Sequence, residues 1–251
     1  MTKFKVRLWL CVSFLGLIGV VSLLASEIPL PDLPKQLTDR FSSTEIQLLV
    51  LINPTILIIL FSLLGTVLYD KVRLRVPVLE VALNKVDRLP YSLRDIFRFG
   101  IIMGIVAGSM IIGISRIFDP YLPAAFLEST KGQDLSILSR VFYGGIAEEI
   151  MMRFGLMSFF VWLVFKISKK LNNASYWIGI VLSSIIFAFG HFPILFQTVA
   201  DPGAFLYAYI IIGNSVGGLI FGYVYYKKGL ESAMIAHAMA HVTMIGIERV
   251  L

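Results

Sequence analysis

Six side chains in this sequence have the types and spacing to do chemistry in apolar surroundings. Glu148, Glu149 and Arg153 fall within the run YGGIAEEIMMRFG at 143–155. His191 lies in FAFGHF, and His237 and His241 lie in AHAMAH. The chain has three histidines in all, and none is in a polar loop. Carboxylates and imidazoles are the usual general acids and bases. Ionisable groups at membrane depth are expensive and normally face a bundle interior or a water-filled cavity. On an α-helix Glu149 and Arg153 stand one turn apart and can pair. Glu148 then points about 100° away and is free for other work. A buried ion pair that only fixes helix packing is the plainer reading of this stretch. His237 and His241, four apart, share one helical face.

Two mechanisms fit these residue types. In the first, His191, His237 and His241 hold a divalent metal, Zn²⁺ by preference, because imidazole suits zinc and a catalytic site needs three protein ligands and an open water position. Glu148 or Glu149 would then be the general base for a metal-polarised water. In the second there is no metal: a glutamate and His191 activate water, and the two histidines AHAMAH supplies donate to the oxyanion. Both end in hydrolysis of an amide. The two-histidine spacing lacks the glutamate beside the first histidine that a zincin motif requires.

The elements that must position these groups are membrane helices. Of the 251 residues, 57% are hydrophobic and 15% charged, and the mean hydropathy is +0.84. That excludes an ordinary soluble domain and predicts an all-α, polytopic transmembrane bundle in a lipid bilayer. The formal charge of +6 is not gathered in one patch, which argues against a nucleic-acid partner. One cysteine, Cys11, excludes an intramolecular disulfide.

Seven spans are expected: Leu8–Ser26, Ile46–Tyr69, Gly100–Ile114, Val141–Phe165, Tyr176–Ala200, Ala204–Tyr226 and Ser232–Ile247. The first resembles a signal peptide at its basic start, but its length favours a retained helix. Residues 27–45 read as a polar external loop. Residues 70–98 read as a long basic cytoplasmic connection whose charges set topology. Alternate loops carry 15 Lys and Arg against 6 in the others, which predicts a cytoplasmic amino terminus. At about 1.5 Å per residue, Glu149 lies about 13 Å from Arg140, and His191 about 15 Å from Asp201. His241 and His237 lie about 12 and 18 Å from Arg249. Three helices thus bring the six groups to one layer near the membrane centre. Asn214 and Ser215, polar in the sixth span, read as helix-tying residues, and Gly218 with Gly222 as a small-residue packing face.

With these residues in view, the chain resembles the CPBP family of intramembrane proteases, the CAAX prenyl endopeptidases and their bacteriocin-linked relatives. The resemblance covers about Gly100–Leu251. The family's E-E-x-x-x-R motif is matched by Glu148, Glu149 and Arg153. Its F-x-x-x-H motif is matched by Phe187 and His191. Its H-x-x-x-N motif is matched by His237, with His241 in place of the asparagine. The resemblance implies a membrane-embedded endopeptidase in which Glu148 activates water, oriented by Glu149 and Arg153. The histidine at 241 shifts the expectation from an amide oxyanion donor toward metal ligation. Residues 1–98 would then form amino-terminal spans and a basic loop, and 99–251 the protease core. The expected localisation is a multi-pass membrane protein, in the plasma membrane if the source is bacterial. The expected substrate is a membrane protein or peptide; oligomeric state is not legible. A non-catalytic scaffold or immunity protein, and a metal or proton transporter, are the alternatives.

Overall fold

The structure, a computed structural model, describes residues 1–26, 40–132 and 136–250. The described residues are helical without strands, and seven helices are long and apolar enough to cross a membrane. They are α1 (Lys3–Ala25), α2 (Ser43–Val72), α3 (Leu93–Tyr121), α4 (Ile137–Ser168), α5 (Asn173–Gln197), α6 (Gly203–Lys228) and α7 (Leu230–Glu248). The chain is a multi-pass integral membrane protein. Most of the expected external loop, residues 27–39, lies outside the described residues.

α4 is the central element. α1 and α2 pack along its back, while α5 and α7 flank it. These contacts are close because small residues lie at the crossings. A Cβ at Gly19 on α1 would stand 2.7 Å from the Phe142 carbonyl oxygen, and one at Gly155 on α4 would stand 2.7 Å from Phe61 Cβ on α2. The most extensive helix pair is α3 with α7. There Gly100, Gly104 and Gly108, each one turn on, face the backbone carbonyls of Ser232, Ala236 and Ala240. This ladder sets one face of α7 against α3 and leaves the His237–His241 face for α4. Gly218 and Gly222 on α6 meet Ser184 and Ile180 on α5, as their spacing predicts.

Three features depart from the expected spans. α3 is longer than Gly100–Ile114: Ser92 accepts from the Asp95 N–H at 3.0 Å and starts the helix seven residues earlier. Long basic side chains in its first turns can reach the interface from there. α5 is not continuous. Its helix runs Asn173–Phe189, turns at Gly190 and His191, and resumes as Phe192–Thr198. Pro193 has no N–H to donate back to Phe189, so the ladder breaks there. His191 therefore sits at a helix break rather than within a helix.

The third departure is the 70–98 connection, which is folded onto the bundle. Val72, Leu74 and Val76 are buried, and Pro77–Ala82 forms a short helix. Glu231, at the start of α7, accepts from the Val78 and Leu79 N–H groups at 3.0 Å each. Glu80, only 3% exposed, accepts from Lys85 Nζ at 3.0 Å and Tyr69 Oη at 3.2 Å. Its charges thus do more than set topology; several are built into a buried network.

Candidate active site

The site is built on an unusual stretch of α4. Arg140–Glu148 and Ile150–Met157 are wound as π-helix, with hydrogen bonds reaching five residues along. Such turns recur at functional sites. In an α-helix residues five apart point about 140° away from each other. In the wider winding they come to the same side, one turn apart. Tyr143 and Glu148 form one such pair, and Gly144 and Glu149 another.

Both carboxylates of this stretch face one imidazole. His237 Nδ1 lies 2.9 Å from Glu149 Oε1, and His237 Nε2 lies 3.7 Å from Glu148 Oε2. Glu148 does not point away into separate work, as a 3.6-residue period predicts. It shares His237 with Glu149. The two carboxylates differ in access: the Glu148 side chain is 18% exposed, and that of Glu149 is 0% exposed.

The expected Glu149–Arg153 pair is present, with Arg153 Nε 3.4 Å from Glu149 Oε2 and both side chains fully buried. The guanidinium lies 5.3 Å from the Phe187 ring centre and 5.7 Å from that of Phe221. Its nitrogens make no hydrogen bond among the described residues. Arg153 is therefore held by one charge and two aromatic faces. Phe187, the first residue of F-x-x-x-H, supports two groups at once: Arg153, and the edge-on His191 ring at 4.9 Å.

The three histidines are brought to one cavity. His191 Nδ1 lies 2.9 Å from the Phe187 carbonyl oxygen. A carbonyl can only accept, so Nδ1 carries the hydrogen and Nε2 is bare in the neutral ring. By the same reasoning the Glu149 carboxylate places the His237 hydrogen on Nδ1. His237 stacks between Phe221 at 4.4 Å and His241 at 5.0 Å. His241 Nδ1 is buried with no hydrogen-bond partner among the described residues. A Cβ at Gly144 would stand 2.5 Å from His241 Nε2 and 3.4 Å from His237 Nε2. Only glycine at 144 lets α4 and the histidine face of α7 approach this closely.

The cavity measures about 330 Å³ and lies between α3, α4, α5, α6 and α7. Glu148, His191, His237 and His241 open onto it. Glu149 and Arg153 stand behind, as supports. Its walls include residues that the sequence did not single out: Tyr143, Arg140, Tyr209 and Gly213. Asn214 also lines it, while giving one amide hydrogen to the Ile210 carbonyl at 2.9 Å. It ties no second helix by that bond. Ser215 Oγ is buried with no hydrogen-bond partner among the described residues. Tyr143 could be found from sequence only by counting in fives from Glu148.

The zinc set expected from His191, His237 and His241 does not fit this geometry. Among the described residues no three His, Cys, Asp or Glu side chains are grouped to hold a metal ion. His237 and His241 lie face to face, 19° from parallel, which suits stacking rather than convergence on one ion. His191 and His237 do each keep a bare Nε2, with the other nitrogen fixed by an oxygen, as second-shell support would require. The residues therefore carry individual donor atoms but no assembled three-ligand group.

Fold and site together define a multi-pass membrane protein with a carboxylate–imidazole cluster inside its helix bundle. Residues 132–243 match the family model described as type II CAAX prenyl endopeptidase Rce1-like, and all six site residues fall within that segment. Over that segment, somewhat less than half of the chain, it is similar to the CAAX prenyl endopeptidases. No curated protein and no solved structure matches the chain.

Proposed function

We propose that the protein is an intramembrane endopeptidase in which Glu148 activates the water that attacks a peptide bond of a membrane-associated protein or peptide. The observation that carries this reading is the pairing of Glu148 and His237 at the cavity wall. With its hydrogen held by Glu149, His237 presents a bare Nε2 to Glu148 Oε2 across 3.7 Å. Two acceptors at that distance are suited to share a donor, and a water molecule gives one hydrogen to each.

In the reaction Glu148 takes a proton from this water as it attacks the scissile carbonyl carbon. The carbonyl oxygen gains the negative charge. Glu148 then returns the proton to the amine nitrogen as the C–N bond breaks. Glu149 does not reach the cavity; it fixes the His237 tautomer and is itself held by Arg153. His191, with Nδ1 on Phe187, keeps its Nε2 bare and lines the same cavity. No step is assigned to a metal.

The family name supports a CAAX-type substrate, and the charge asymmetry of the loops supports a cytoplasmic amino terminus. The test is cleavage of a prenylated CAAX peptide by the purified protein, wild type beside Glu148→Gln. Wild-type cleavage with a fall of about 10²–10⁴ in the variant supports the role. Cleavage by both at one rate removes Glu148 from the chemistry.

A further inference from the structure

We propose that Tyr143 is a further catalytic residue, donating its hydroxyl hydrogen to the scissile carbonyl oxygen as that atom becomes an oxyanion. The inference rests on the peptidase reading and starts from a count of donors. Hydrolysis by way of a tetrahedral intermediate needs hydrogen-bond donors already aimed at the developing negative charge. The six motif residues are rich in acceptors. His191 and His237 spend their N–H groups on Phe187 and Glu149, so both turn bare Nε2 atoms outward. Glu148 is an acceptor while it acts as base. Arg153 is fully buried behind the site. That leaves His241, whose Nε2 stands beside Gly144, as the one motif side chain with an N–H to offer.

Tyr143 supplies what is missing. It lines the same cavity as Glu148, His191, His237 and His241. No hydrogen bond engages its hydroxyl among the described residues. The π winding sets it one turn from Glu148, on the same side of α4; in an α-helix it would face about 140° away. The next residue, Gly144, brings this part of α4 against the two histidines. A neutral hydroxyl on the helix that carries the base, lining the same cavity as His241, can form one side of an oxyanion site with His241 as the other. Two other donors line the cavity and are partly committed: Asn214 gives one of its amide hydrogens to Ile210, and Arg140 faces Glu248 at 3.9 Å.

The test uses the full chain in detergent or liposomes and an internally quenched, prenylated CAAX peptide as probe. Removing one oxyanion donor lowers kcat about 10²–10³-fold. Tyr143→Phe keeps the ring and its packing, so it should show that fall with KM changed less than about threefold, since the contact forms in the transition state. A kcat within about twofold of wild type overturns the proposal, as does a raised KM at unchanged kcat, which would make Tyr143 a binding residue. Should the Phe variant lose its fold, 3-fluorotyrosine at position 143 keeps the shape and strengthens the donor. It should raise kcat, and an unchanged kcat again overturns the proposal. Wild-type protein that cleaves nothing overturns the peptidase reading and this role with it. Wild-type cleavage beside a fully active Tyr143→Phe overturns this role alone.

Discussion

His237 on α7 and Glu149 on α4 are joined by a 2.9 Å hydrogen bond from Nδ1 to Oε1, which decides which imidazole nitrogen meets Glu148. The carboxylate is completely buried, so in the proposed mechanism it holds the ring. Glu149→Gln removes the charge and lets an amide N–H face Nδ1, favouring the wrong tautomer. The expected result is a fall in kcat of about 10²–10⁴-fold with little change in KM, measured on the prenylated peptide. Unchanged kcat would show that the tautomer does not matter.

Arg153 and Glu149 form a fully buried pair. Removing one partner leaves the other charge uncompensated, which costs about 3–5 kcal/mol. Arg153→Leu should therefore lower stability by that order, read from denaturant unfolding in mixed micelles. The double change Arg153→Leu with Glu149→Leu should recover a large part of it, because neither charge then remains. A double variant no more stable than the single would contradict this account of the pair.

Gly144 is where α4 makes room for the histidines. Gly144→Ala places a methyl within 2.5 Å of His241 Nε2. Overpacking of this kind costs about 1–3 kcal/mol and here displaces a site residue. Cleavage should fall at least about tenfold, as misplacement of catalytic groups by an ångström or so costs about 10²-fold. Gly113→Ala, whose added methyl meets nothing within 4 Å, should retain wild-type activity and stability.

Much of this arrangement is legible in the sequence, for identifiable reasons. Long apolar runs mark all seven spans, and the six site residues stand out because ionisable groups are otherwise rare there. The Glu149–Arg153 pair follows from their spacing of four. The joint approach of Glu148 and Glu149 to His237 does not, because a 3.6-residue period sends Glu148 elsewhere and nothing in the pattern announces a π winding. For the same reason Tyr143 is invisible from sequence as a neighbour of Glu148. The break at His191 was readable from Gly190 and Pro193, yet the apolar run around them reads as one continuous helix. The buried network of Glu80, Lys85 and Tyr69 lies in a segment whose basic composition suggests only a solvated connection.

That segment carries its own prediction. Glu231 caps two amides of the Pro77–Ala82 helix through a single oxygen. Glu231→Ala leaves both N–H groups without that partner, at about 1–3 kcal/mol for each group that stays buried. Limited proteolysis within 75–92 should become faster than in wild type. An unchanged digestion rate would show that the cap does not hold this connection to α7.

Metal dependence separates the two chemistries that the histidines suggest. With no three-ligand group assembled among the described residues, cleavage should survive dialysis against a chelator. About one zinc per chain, lost together with activity in His237→Ala and kept in Glu148→Gln, would contradict that and restore a histidine-bound metal.

The most direct test of the central claim is the single-turnover cleavage rate of a prenylated CAAX peptide by Glu148→Gln beside wild type, with both proteins shown to unfold at the same temperature. The account predicts cleavage by wild type and a rate at least about 10²-fold lower in the variant, since the water loses its base. A variant that cleaves as fast as wild type would contradict the assignment of Glu148 and, with it, the mechanism built on its pairing with His237.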